Sequence, residues 1–301
     1  MFKLLNKVQF PPEKNRMKSV ASTETAKKIF NSKKSNNLKF LLEERFNWMN
    51  RFIKKNDIGL EVGSGAGFAK FYIKNQNLKL SDLSEDQHLD FKNIDAQATG
   101  FKDSSFDYVI ASNMIHHIPY PIKFFREMNR ILKKNGKLII FESYCSIVFQ
   151  VATILMKHEG YDFTLNVWDE KNPKSDVNDA WAGNIAVPHL IFDDKKKFDT
   201  NLGNLFSIKF EELTECLIFL NSGGVTSKTF YIPMNIFALN ILKFIDKFLV
   251  NFFPNIFCMG RRIILEKKKF IINYRFFLPQ QIILEQHLLN DQNLFFRHRS
   301  N

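Results

Sequence analysis

Apolar side chains return at three- and four-residue intervals through LKFLLEERFNWMNRFIK (38–54). Leu38, Leu41, Leu42, Phe46, Trp48, Met49 and Phe52 fall largely at that spacing, which predicts an amphipathic helix with an apolar side to bury. The period then shortens. IGLEV (58–62) reads as a short buried strand, and three glycines follow within LEVGSGAGFAK (60–70) before FAKFYIK (68–74) restores helical spacing. NLKLSDLS (77–84) predicts a second strand ending at Asp82, and PIKFFREMNRILKKNGKLIIFES (121–143) a helix, a glycine-marked stop and another strand. Strands alternating with helices predict an α/β fold, doubly wound about a mostly parallel sheet.

In that order, the glycine turn sits at the carboxyl edge of the sheet, where the next helix offers unpaired N–H groups and its positive end. Spacing narrows the ligand. A phosphate-cradling loop ends in GK[ST], which is absent, and a dinucleotide fingerprint starting at Gly63 needs glycine at 68, where Phe68 stands. What remains is Glu61-x-Gly63-x-Gly65-x-Gly67, with Ser64 inside it. Glycines allow backbone to approach a ligand closely, and an acidic strand end suits a cationic ligand rather than a pyrophosphate. Asp82, about twenty residues after the first strand, is placed to accept hydrogen bonds from a ribose diol.

This pattern resembles motif I of the class I S-adenosylmethionine-dependent methyltransferases, and residues 57–143 as a whole resemble the methyltransferase type 11 family. The resemblance implies S-adenosylmethionine as cofactor and a Rossmann-like sheet of seven strands, with an N-terminal helical cap and a substrate insert. FKNIDAQATGFKDSSFDYVIASNMIHHI (91–118) is similar to the family's third and fourth strands and their intervening loop. By that likeness Asp95 and Ala96 hold the adenine, FDYVIAS is the fourth strand, and Asn113 with the following residues lies beside the transferable methyl group. The fold also implies a return by two antiparallel strands, expected at VTSKTFYIP (225–233) and RRIILEK (261–267). EELTECLIFLNSGG (211–224) is expected to be a helix.

Methyl transfer from a sulfonium is a direct displacement, so the protein chiefly aligns the nucleophile. A base is added when that nucleophile carries a proton of high pKa. His116 and His117 are the first candidates for it, with loop-fixing hydrogen bonds as the alternative role. The segment 144–205 reads as an insert at the sheet's carboxyl edge. Within it His158 and Glu159 could pair as base and orienting carboxylate, while Asp179, Trp181, Asn184 and His189 offer a stacking surface with polar groups. The alternative is that KHEG ends a helix and Trp181 is core. No local ligand spacing among the histidines suggests a metal. No [DN]PP[FY] follows the fourth strand and no cysteine lies there, which argues against amide and exocyclic-amine methylases and against covalent pyrimidine chemistry.

Charge changes the picture at the ends. The 301-residue chain carries a net +12. Residues 1–57 hold 14 Lys/Arg against 5 Asp/Glu, and residues 261–301 hold 8 against 3, leaving the middle at −2. A near-neutral body argues against a nucleic-acid groove through the active site, while basic ends permit attraction to an anionic membrane. Three separated cysteines and the lack of a signal-like apolar core predict a cytoplasmic protein. Between Pro233 and Pro254 lie twenty largely apolar residues interrupted by Lys243, Asp246 and Lys247, with Asn240, Lys243, Lys247 and Asn251 on one helical face. That stripe points to a packed helix or an interfacial one rather than a spanning one.

The expected organisation is a basic helical extension (1–56), a methyltransferase domain (57–269, with the insert and an apolar helix at 234–253) and a C-terminal tail (270–301). The expected function is methylation of a small molecule, favouring a hydroxyl or amino group of a sugar or surface-glycan precursor. The rivals are a lipid-like acceptor such as a quinone at the membrane surface, and a catalytically silent cofactor-binding module. The sequence leaves the oligomeric state open.

Overall fold

A computed structural model describes residues 9–10, 23–33, 35–156, 159–225 and 229–268. Four strands pair in parallel: β1 (Gly59–Val62), β2 (Leu78–Ser81), β3 (Phe106–Ser112) and β4 (Leu132–Ser143). β6 (Gly260–Lys267) runs antiparallel to both β4 and β5 (Phe206–Thr214), giving the sheet order β2–β1–β3–β4–β6–β5. Alternating side chains divide between two cores. Tyr108, Ile110, Ile139, Phe141 and Ile264 face one layer; Val109, Ala111, Leu138, Ile140 and Ile263 face the other.

On the second face lies α4 (Pro121–Ile131), which opens on proline and buries Phe124, Phe125, Met128 and Ile131 completely. Each such side chain contributes roughly 1.5–3 kcal/mol by leaving water. On the first face lie α1 (Thr23–Phe30) and α2 (Asn36–Phe46), the expected N-terminal helices, with α3 (Ala69–Tyr72) following the glycine turn. The helix expected through residue 54 ends earlier: Asn47–Arg51 tighten into a 3₁₀ turn, and Asn50 fastens it by donating to the Tyr72 carbonyl at 2.9 Å.

Three expectations are corrected. The sheet has six strands among the described residues, not seven, because the expected third strand shrinks to a single parallel bridge between Ser81 and Phe91. The partner of β6 is residues 206–214, not 225–233, of which 226–228 lie outside the described residues. Glu211 and Glu212, read as the start of a helix, sit instead on β5. Glu212 meets Arg262 at 2.8 Å across the strands, and Glu211 lies against Arg261 and Lys195. The helix expected over 211–224 is reduced to α8 (Leu217–Leu220).

The insert supplies α5 (Ile147–Met156), α6 (Val187–Phe192) and α7 (Lys195–Leu202). The apolar segment forms α9 (Ile236–Phe252), followed by the short α10 (Pro254–Phe257). Leu239, Asp246 and Val250 face inward on α9, and Asp246 accepts hydrogen bonds from the backbone N–H groups of Cys216, Leu217 and Ile218 at 2.7–3.0 Å, capping α8. The opposite face is apolar and bare: Phe237, Phe244 and Phe252 are 73%, 75% and 67% exposed, with Ile241 and Phe248 between them. No helix among the described residues is long and apolar enough to cross a membrane. The expected tail, 270–301, lies outside the described residues.

Candidate active site

β1 delivers its last residue into the glycine turn, which sits at the carboxyl edge as the strand order requires. Gly63 takes φ +63°, and a Cβ there would meet the Met114 side chain at 3.0 Å, so glycine is required both by conformation and by space. The turn is tied to the end of β2. Ser64 accepts from the Ser81 N–H at 3.2 Å and donates to the Glu61 carbonyl at 3.2 Å, while the Gly65 N–H donates to Asp82 Oδ2 at 2.8 Å. His88 Nε2 lies 2.9 Å from the Gly65 carbonyl. Asp82 also accepts from the Ser84 N–H at 3.1 Å, so it braces the turn as well as facing the cavity beside it.

That cavity has a volume of about 720 Å³ and is lined by Glu61, Gly63, Ser64, Gly65, Asp82, Asp95, Ala96 and Asn113. Eight of the nine residues expected to hold the cofactor therefore share one space. The ninth, Gly67 (φ +75°), shapes the turn without lining the cavity. Asp95 accepts from the Gln97 N–H at 2.8 Å, beside the buried Ala96, and Asn113 takes a left-handed φ of +51° as the chain leaves β3.

Glu61 is 2% exposed, and its Oε2 has no hydrogen-bond partner among the described residues. Burial lifts its carboxyl to about 8; Ser64 opposes that shift and the nearby Asp82 charge adds to it. A buried acid with an orphaned oxygen at a cavity wall is a site for a ligand cation. The ammonium of S-adenosylmethionine fits that requirement, and a pyrophosphate does not.

The far end of the same cavity is lined by His116, His117, Glu159 and Trp181. His116 and His117 lie on a 3₁₀ turn after β3, their ring centroids 4.2 Å apart. His116 Nδ1 is 2.7 Å from Glu142 Oε2, and Glu142 also accepts the N–H groups of Ile115 (2.5 Å) and Ser143 (3.0 Å). Glu159 reaches toward both rings, 3.5 Å from His116 Nε2 and 3.6 Å from His117 Nε2. Burial opposes a charge on His116, but Glu142 and Glu159 outweigh it and raise the imidazole to about 10. Burial likewise opposes the Glu142 charge, yet the facing His116 holds it below the usual carboxylate range. His116 is thus held between two carboxylates, the loop-fixing arrangement that the sequence offered as the alternative to a base.

Three other expectations are corrected. Asn184 is a scaffold residue: it is 1% exposed, its side chain accepts from the Asp162 and Ala186 N–H groups, and its own N–H donates to the His116 carbonyl. Asp179 accepts from the Trp181 N–H at 2.9 Å and lies outside the cavity lining, so it positions the tryptophan. His189 packs between Tyr144 and Phe163, and His158 lies outside the described residues.

Sequence reasoning missed several wall residues, including Asp176 and Asn178 on the insert and Met259 just before β6. It also missed Arg45, which pairs with Glu215 at 2.5 and 3.0 Å and lies over the Phe141 and Phe219 rings. Arg45 stands within the amphipathic pattern of α2, where a charge normally marks the solvated side, so no signal separated it. The first turn of α1 closes the cofactor end. Thr23 donates to Asp86 at 3.0 Å, Lys27 lies 2.8 Å from His88, and Phe30 packs on Phe68.

The family described as a methyltransferase domain matches residues 60–140. An uncharacterized protein of Methanocaldococcus jannaschii is 33% identical over 108 residues, covering 33% of this chain and 47% of its own. A ubiquinone/menaquinone biosynthesis C-methyltransferase of Rickettsia massiliae is 30% identical over 122 residues, covering 32% of this chain and 49% of its own. The chain spans less than half the length of these curated relatives. Among solved structures, a SAM-dependent methyltransferase from Methanosarcina mazei is similar at 15% identity and TM-score 0.42, covering 74% of this chain and 98% of that one.

Residues 60–140 thus match a methyltransferase domain. S-adenosylmethionine is the cofactor that this match implies, and the glycine turn, Glu61, Asp82 and the Asp95–Ala96 loop line one cavity.

Proposed function

We propose that the chain transfers the methyl group of S-adenosylmethionine to a hydroxyl of a small polar acceptor, a sugar or surface-glycan precursor. The observation that carries this reading is that the cofactor residues and the polar group His117, Glu159 and Trp181 line one continuous cavity. In the displacement, the acceptor oxygen attacks the methyl carbon while the carbon–sulfur bond breaks and its electron pair stays on sulfur. The products are the methyl ether, S-adenosylhomocysteine and the hydroxyl proton. Trp181 offers a ring face for stacking, and Asp176 and Asn178 offer hydrogen bonds to neighbouring hydroxyls. The test is turnover with a panel of nucleotide sugars, read as S-adenosylhomocysteine release and a one-methyl mass gain. Release with no sugar in a panel that includes quinones would contradict the sugar acceptor.

A second reading, a lipid-like acceptor, is favoured by the outer surface. Phe149, Thr153 and Met156 of α5 line the cavity, while Val151, Ile154 and Leu155 on its other side are exposed, as is the phenylalanine face of α9. Exposed apolar faces of this kind mark a contact with lipid or protein. One relative is by name a ubiquinone/menaquinone biosynthesis methyltransferase, which supports the same reading. Turnover of a quinone that rises on adding anionic vesicles would favour it over the sugar; vesicle-independent sugar turnover would remove it. Normal cofactor affinity with no turnover on any acceptor would instead support the silent module.

A further inference from the structure

We infer that His116, His117 and Glu159 form a binding site for one divalent transition-metal ion at the acceptor end of the cavity, where the ion would hold and acidify the acceptor hydroxyl; this role rests on the methyl-transfer reading above.

Distances carry the first part of the argument. The contacts of Glu159 with the two imidazoles, 3.5 and 3.6 Å, are long for charge-assisted hydrogen bonds, which run about 2.7–2.9 Å. They are close to the separation of roughly 3.4 Å between ligands around a tetrahedral ion with bonds of about 2.1 Å. One donor atom from each of the three residues lies within 4.8 Å of the others, so small side-chain rotations bring all three to bonding distance.

The surroundings carry the second part. A ligating histidine characteristically gives its other ring nitrogen to a carboxylate, which fixes the tautomer and aims the free nitrogen. Glu142 does this for His116 at 2.7 Å, and is itself immobilised by two backbone N–H groups, leaving Nε2 aimed at Glu159. Gly183 completes the cradle. A Cβ there would meet His117 at 2.9 Å, His116 at 3.0 Å and Glu159 at 3.1 Å, so the backbone can pass behind all three donors because the residue is glycine.

Donor type and position complete it. Two imidazoles and one carboxylate suit zinc, cobalt, iron or manganese rather than calcium, and three protein donors leave a position open toward the cavity. A hydroxyl coordinated there loses its proton to solvent more readily, its oxygen takes the methyl group, and the sulfur departs within S-adenosylhomocysteine.

The test uses the full chain, stripped with a chelator and titrated with Zn²⁺ by calorimetry and with Co²⁺ by visible absorption. His117→Ala and Glu159→Gln are measured beside the wild type, and S-adenosylmethionine is titrated into all three. The expected result is one equivalent of Zn²⁺ with a micromolar or tighter dissociation constant, the strong visible bands of low-coordinate Co²⁺, and binding weakened by more than about 100-fold in both variants. Glu142→Gln weakens it by about 10–100-fold. Wild-type protein that takes up no stoichiometric Zn²⁺, or variants that bind as tightly as wild type, would overturn the metal site. Normal cofactor binding in the same samples would then leave the methyltransferase reading standing; stoichiometric Zn²⁺ without cofactor binding would do the reverse.

Discussion

The two ends of the cavity are built in different ways. Apart from the turn of α1 that closes it, the cofactor end comes from one run, β1 through the loop after β3, and backbone geometry dominates it: a positive-φ turn, strand-end amides, and acids at fixed places along the fold. The acceptor end is assembled from β3's far loop, the end of β4 and separate parts of the insert, and side-chain electrostatics dominate it. A backbone-built site tolerates little substitution at its glycines, and a side-chain-built site depends on every partner of a buried charge.

The sharpest way to break that contrast is Gly63→Val. Its branched side chain would have to occupy the Met114 contact at positive φ, so S-adenosylmethionine binding should fall by more than 100-fold (about 2.7 kcal/mol) in a calorimetric titration. A wild-type affinity would mean that the turn is not the cofactor's seat.

At the other end, Glu142→Gln leaves His116 without its buried partner. We expect a loss of about 3–5 kcal/mol of stability in denaturant unfolding. A loss below 1 kcal/mol would show that the pair is not the clamp described.

A smaller effect distinguishes the ends by pH. Glu61, buried and raised to about 8, must release its proton to meet a ligand ammonium. Affinity for S-adenosylmethionine should therefore tighten as pH rises from 6 to 8, by up to about tenfold per unit, and then level off. Glu61→Gln should abolish the slope; a slope that persists in that variant would assign it to another group.

The smallest effect lies outside the cavity. Phe237→Ser and Phe244→Ser remove exposed rings, so unfolding free energy should change by no more than about 0.5 kcal/mol. If the lipid-like acceptor is correct, co-sedimentation with anionic vesicles is lost in the double variant while cofactor binding stays at the wild-type level.

The same division decided what the sequence could disclose. The glycine turn, Asp82, the Asp95–Ala96 loop and the parallel order of β1 to β4 were legible because each depends on local spacing and chain order. β5 was hidden because Glu211 and Glu212 look like a helix start until Arg261 and Arg262 stand beside them on the next strand. Asp246 reads in the sequence only as a charge interrupting an apolar segment, whereas it turns inward to cap α8 and leaves the phenylalanines outside. Asn184 looked like a polar pocket residue because its type says nothing about direction. Glu159 meets the histidine pair only through the return of the insert, so no local ligand spacing could announce the cluster.

The central claim is that the cavity beside β1 holds S-adenosylmethionine, and calorimetric titration of the full chain tests it most directly. Micromolar binding of S-adenosylmethionine and S-adenosylhomocysteine at one equivalent is expected, with no heat from NAD. Absence of binding by either sulfur compound, or binding of NAD in their place, would contradict it.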